Sequence, residues 1–228
     1  KAMILRRLSQ SLKEQNWTAI WIEFLLLVTG VFLGIQVANW NAERIEQAKT
    51  TKILDAFRAD MTDYIAVTKL FSDKANKGLA NYEAARARGE KPAPYFMRFR
   101  GSDTTPKSVW QVAQQSGLSD LVHPSLMFEI GYYYSELEGI DVKFVRYAEF
   151  VETEILPYTD NPEMFYEQAG NLKPEYQQNM QRLREWVADS AVTEASANCL
   201  MKRFNAPNRI GKSCRPDYGT FSVKEPKP

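Results

Sequence analysis

From position 19 to position 38 the only polar side chains are Glu23, Thr29 and Gln36, set among aliphatic, aromatic and glycine residues. A run of about 20 such residues is what an α-helix needs to cross a bilayer. No later segment comes close, so the pattern predicts a single transmembrane helix over residues 18–40. Trp17 and Trp21 stand at one end and Trp40 at the other, where indoles act as interface anchors at the two headgroup levels. A cleaved signal peptide is the rival reading. The run is longer than the ~7–15 residues of a signal core, and no small-x-small cleavage site follows it.

Ahead of this run, "MILRRLSQSLKEQNW" puts Ile4, Leu5, Leu8 and Leu12 on one helical face and Arg6, Arg7 and Lys13 elsewhere. Residues 1–17 therefore read either as an amphipathic segment in the cytoplasmic interface or as a plain extension of the membrane helix. Behind it, a proline-free stretch carries Phe57, Met61, Tyr64, Thr68, Phe71, Ala75 and Tyr82 at steps of mostly three and four. That spacing predicts a long stalk helix with one narrow apolar seam, bent at Gly78 and ending near Gly89, where "GEKPAPYF" supplies helix breakers.

Further on, Thr105 reads as an N-cap with Pro106 at the first helical position and Gly117 beyond the end. The strongest periodicity runs from Pro124 to a stop before Pro157, through Leu126, Ile130, Tyr133, Leu137, Ile140, Phe144, Tyr147, Val151 and Ile155. A short helix is expected from Asn161 and Pro162 to Gly170. Another opens at Pro174 and carries Tyr176, Met180, Leu183, Val187, Leu200 and Phe204. No segment shows sustained strand alternation. The expected fold is all-α, one N-terminal transmembrane helix followed by an extramembrane antiparallel helical bundle. The expected domains are a membrane helix at 18–40, a periplasmic helical domain at 41–214 and an extended C-terminal tail at 215–228.

Composition adds a compartment. With 29 Lys and Arg against 28 Asp and Glu, the chain is neither disordered nor a strongly basic nucleic-acid binder. Four cations precede the apolar run, but Arg44, Lys49, Lys52 and Arg58 follow it, so the positive-inside count nearly ties. The two cysteines decide the orientation. Cys199 and Cys214 fit one disulfide in an oxidising compartment, closing a loop of about 15 residues, against the alternative of two unrelated buried thiols. The N-terminus is then cytoplasmic and the C-terminal domain periplasmic, in the inner membrane of a bacterium.

Catalytic constellations are missing: the chain has no glycine-rich phosphate loop, no H-E-x-x-H and no G-x-S-x-G. His123 is the only histidine and reads as a polar residue at a helix entry, so neither a metal nor a cofactor is expected. In "YYYSELE", Tyr133 and Leu137 are expected to face the bundle and Tyr132, Glu136 and Glu138 to face water. Lys202, Arg203, Arg209 and Lys212 have no acidic neighbour within the cysteine loop, which makes them a candidate anion-binding loop or a solvated basic one. At 100° per residue, Gly30 and Gly34 each lie about 20° from Glu23 around the helix. A G-x-x-x-G with a carboxylate on its stripe is a candidate intramembrane contact, since glycines admit a second helix closely and the acid calls for a partner or a proton. Gln36 lies on another face and is a candidate for a second helix contact.

The residues Glu23, Gly30, Gly34, Gln36, Asn39, Trp40 and Asn41 resemble the signature of a bacterial group of single-span membrane proteins catalogued as a domain of unknown function. Alanine often stands in that group at the place of Gly34. "SVWQVAQQSGLSDLV" and "YYYSELE" also resemble it, through Trp110, Ser116, Gly117, Tyr133 and Tyr134. The resemblance implies a single span and a helical extramembrane domain, and no substrate. The chain departs from the pattern in its cysteine pair and its C-terminal length.

The expected function is therefore that of a non-enzymatic assembly or accessory subunit, bound to the lipid bilayer and either homo-oligomeric or part of a larger membrane complex. Two other classes stay open: a homo-oligomeric cation or proton channel with Glu23 at its constriction, and a periplasmic ligand-sensing module that signals through a partner.

Overall fold

The computed structural model describes residues 17–98 and 108–215. Among these the regular elements are all helices, and pairing of extended backbone is confined to one antiparallel bridge between Tyr166 and Leu172. The expected segment at 1–17, apart from Trp17, the cap at Thr105 and Pro106, and the tail at 215–228, apart from Arg215, lie outside the described residues. Two compact units divide the chain, Lys1–Lys49 and Thr50–Pro228.

Helix α1 runs over Trp17–Ala87, 71 residues without a proline to interrupt it. Its part in the first unit is one long apolar helix, exposed on all sides. In the second unit α1 becomes amphipathic. Leu54, Phe57, Met61, Thr68, Ala75, Leu79 and Tyr82 are buried at steps that keep returning to one face. The helix ends at Ala87, and Gly89 adopts a φ of 83° that a side chain would disfavour. Arg86 closes this end by donating to the carbonyls of Glu90 and Gly170, each at 2.7 Å.

Gly78, the position where a bend is expected, lies inside the helical span of α1. The chain after α1 doubles back along it, and the Tyr95 ring lies over Gly78 so closely that a Cβ would stand 1.9 Å from Tyr95 Cζ. Tyr95 donates its hydroxyl to the Lys74 carbonyl at 3.1 Å, and Met97 N–H donates to the Tyr147 hydroxyl at 2.8 Å. The glycine is there to admit an aromatic ring.

Two short helices follow, α2 (Ser108–Gln115) and α3 (Leu118–Leu121), separated by Gly117 at a φ of 75°. Helix α4 covers Pro124–Phe150, with Pro124 in its first turn and His123 as its N-cap. The helical pattern continues to Ile155, but from Val151 to Ile155 it is a π-helical turn, in which Leu156 N–H reaches back to the Val151 carbonyl. Pro157 has no N–H to donate to a carbonyl one turn back. The wider turn keeps Val151 and Ile155 buried, and Thr153 Oγ1 donates to the Glu149 carbonyl at 3.0 Å.

The segment expected as a short helix up to Gly170 is instead a 3-10 turn, Pro162–Phe165, and a tight return. Glu167 N–H donates to the Asn171 carbonyl at 2.8 Å and Lys173 N–H to that of Phe165 at 3.0 Å, with Gly170 at a φ of 80°. This return buries Phe165, Tyr166 and Leu172 together, which a continued helix would splay around its axis. Helix α5, Pro174–Arg203, completes the fold.

Contacts between α4 and α5 follow in opposite chain order: Glu129 with Arg203, Lys143 with Asp189 at 2.6 Å, Phe144 with Trp186 at 5.4 Å between ring centres, and Phe150 with Tyr176 at 5.7 Å. The core has two apolar clusters. One gathers Leu79, Tyr147, Ile155, Phe165 and Leu183; the other gathers Phe57, Met61, Leu126, Tyr133 and Leu200. On α1 Thr68, and on α5 Ser190 and Thr193, fall between the positions given to the two clusters and are themselves buried. Along α1 and α5, buried polar side chains thus separate the positions of one cluster from those of the other.

Candidate functional site

In the first unit, the large apolar side chains from Ile20 to Val37 are exposed among the described residues. Leu26 is 68% exposed and Phe32 57%. The helix is long and apolar enough to cross a membrane by length and composition. Glu23, Gly30 and Gly34 stand on one stripe of α1, and a Cβ built on either glycine meets nothing within 4 Å. Gln36 is on a different side of the same helix. Trp21 meets Phe24 edge to face at 6.0 Å, and Arg44 places its guanidinium 5.0 Å from the centre of the Trp40 ring. Trp17, Trp21 and Trp40 are all exposed.

In the second unit, Cys199 and Cys214 form a disulfide with their Cα atoms 5.5 Å apart. The loop it closes is fastened at several further points. Arg58 Nη2 donates to Asn205 Oδ1 at 3.1 Å, His123 N–H donates to the Pro207 carbonyl at 3.0 Å, and Ser196 Oγ donates to the Cys214 carbonyl at 2.5 Å. His123 itself caps α4: its Nδ1 accepts from Ser125 N–H at 3.2 Å and lies 2.8 Å from Ser125 Oγ. This imidazole is held as a cap.

The structure divides the four cations of the loop. Lys202, Arg209 and Lys212 are exposed, whereas Arg203 is turned inward and pairs with Glu129, a carboxylate that comes from α4. Arg203 is thus withdrawn from any anion site, because within the domain the loop does have an acidic neighbour. A sequence signal for this pair exists. Glu129 falls on the face that Leu126, Ile130 and Tyr133 bury, and a carboxylate on a buried stripe needs a partner.

Tyr133 and Leu137 face the core, as does Tyr134, whose hydroxyl donates to Asp60 Oδ2 at 2.6 Å while its ring stacks on Trp110 at 5.7 Å. Burial raises the Asp60 carboxyl above its ordinary range, opposed by this hydrogen bond. Among the described residues no three His, Cys, Asp or Glu side chains gather as a metal site. Hollows open on the surface among the described residues, two of them beside polar and aromatic side chains. One, of about 660 Å³, is lined by Arg86, Asn171, Gln178, Gln181 and Arg184; the other, of about 510 Å³, is apolar and lined by Trp110, Pro124, Met127, Phe128 and Tyr132.

Comparison of the chain with protein-family models, with curated proteins and with solved structures finds no match.

Proposed function

We propose that the chain is a non-enzymatic, single-pass membrane protein that serves as an assembly or accessory subunit. In this reading residues 18–40 of α1 cross the bilayer, and Glu23, Gly30 and Gly34 pack against a second transmembrane helix. The domain after Thr50 stands on the oxidising side of the inner membrane, in the periplasm.

The observation that carries this reading is the uncovered apolar length of α1. A helix that is apolar all round belongs inside a protein core or in lipid. The core of this chain lies elsewhere, in the two clusters of the second unit. The Glu23 carboxylate supports assembly in particular, because an acidic group within a membrane calls for a hydrogen-bonding partner. The open space beside Gly30 and Gly34 is where a second helix backbone approaches. The disulfide supports the oxidising side. The reversed order of contacts between α4 and α5 supports an antiparallel helical bundle as the domain that meets a partner.

The test is the native mass of the complex extracted gently from its own membrane, for the wild type and for Gly30→Leu with Gly34→Leu. The wild type is expected to travel as an assembly larger than one chain and the variant to fall apart. An assembly of unchanged stoichiometry in the variant counts against the packing face, and a lone wild-type chain counts against assembly altogether.

A further inference from the structure

The disulfide-closed loop carries features that intramembrane packing does not use. Ile210 is 79% exposed, more than any other large apolar side chain described. It stands between Arg209 and Lys212, with Lys202 on the same loop, and all three cations are exposed. No acidic residue occurs from position 195 to position 215, and Glu129, a carboxylate brought to the loop from α4, is taken by Arg203 and by Cys214 N–H. Beside it, the exposed Phe128 at the start of α4 lies under the Arg215 guanidinium, 4.6 Å from ring centre to Cζ.

Scattered apolar side chains are ordinary on a protein surface. Here an aliphatic side chain is held out among cations on a loop fastened by a disulfide and by hydrogen bonds from Arg58 and His123. That combination suits an anionic lipid interface, which takes the aliphatic group at the acyl boundary and pairs the cations with headgroup phosphates. A soluble anionic polymer would match the cations and give Ile210 nothing. The loop also belongs to the end of the domain where α1 enters it. Phe204 packs on Phe57 at 6.1 Å, and Arg58 lies over Phe204.

We infer that the loop closed by Cys199 and Cys214 contacts lipid, with Ile210 entering an anionic bilayer surface and Lys202, Arg209 and Lys212 binding its phosphates. The inference rests on the membrane reading of α1 and adds to it a second, peripheral contact.

The experiment places a photoreactive diazirine amino acid at position 210 of the full chain and, in a second preparation, at position 33. Both are reconstituted in vesicles of phosphatidylglycerol and phosphatidylcholine, illuminated, and the adducts identified by mass spectrometry. Lipid adducts are expected at both positions. At position 210 their yield should fall about fivefold per cation removed in Arg209→Gln and Lys212→Gln, and should fall likewise in vesicles of phosphatidylcholine alone. Lipid adducts at position 33 with only protein or solvent adducts at 210 overturn the loop inference and leave the membrane reading intact. Absence of lipid at position 33 overturns both.

Discussion

Arg203 and Glu129 are 74 residues apart in sequence and form a buried ion pair, in which Arg203 Nη1 donates to Glu129 Oε2. The same oxygen accepts from Cys214 N–H at 3.1 Å, and Arg203 Nη2 reaches Ser125 Oγ at 3.3 Å. One carboxylate therefore joins the start of α4, the end of α5 and the disulfide.

Removing one partner strands the other as an uncompensated buried charge. Glu129→Ala and Arg203→Met are each expected to lower stability by about 3–5 kcal/mol. Replacing both at once, as Glu129→Leu with Arg203→Met, should cost far less than the sum of the two. Chemical denaturation of the purified full chain reads this directly, and additive losses would show that the two residues are not coupled.

The disulfide closes a loop over a sequence separation of 15. Cys199→Ser with Cys214→Ser should lower stability by about 3 kcal/mol. Hydrogen exchange should accelerate at residues 204–214 and at the first turn of α4, which His123 ties to Pro207, while the amides around Tyr147 and Tyr176 stay protected. Acceleration spread evenly over both apolar clusters would contradict this local role.

At Gly78 two effects oppose each other. Alanine in a helix interior is worth about 1 kcal/mol over glycine, yet its Cβ would collide with the Tyr95 ring. Tyr95 must then swing aside and release the Lys74 carbonyl. Gly78→Ala is expected to gain nothing in the wild-type background and about 1 kcal/mol in a Tyr95→Ala background. Equal effects in the two backgrounds would mean that the ring does not hold this position.

Burial pushes the Tyr64 phenol up to about 12, and it likewise raises Tyr133, Tyr134 and Tyr147. A group with a raised folded-state pKa stabilises the fold fully below its unfolded value, about 10, and that contribution is lost as pH rises through the folded value. Stability should therefore fall above about pH 10, with phenolate absorbance appearing together with unfolding. Tyr64→Phe should make that fall shallower. Ionisation of these tyrosines in a chain that stays folded would refute the coupling.

Much of the fold is legible in local pattern. The buried positions of α4 and of the π-helical turn after it, from Leu126 through Tyr133 and Phe144 to Ile155, are those the apolar spacing picks out, as are Phe57, Met61 and Thr68 on α1. Each is fixed by its neighbours three and four residues away, and a helix records that spacing in the chain itself. The apolar length from Ile20 to Val37 is equally a property of the sequence, and its side chains are exposed among the described residues.

Tertiary packing decided the rest. At Gly78 the sequence offers a candidate bend, whereas the packing adds Tyr95, which folds back along α1 and needs the space. Arg203 reads as one of four loop cations until α4 brings Glu129 beneath it. The turn beyond Phe150 widens to a π-helix where Pro157 withholds a donor and Val151 and Ile155 must both stay in the core. In each case the deciding partner is distant in sequence or is a whole apolar cluster. Helical periodicity specifies which face of a helix is buried, whereas the residue that meets that face is chosen by how the helices pack against one another.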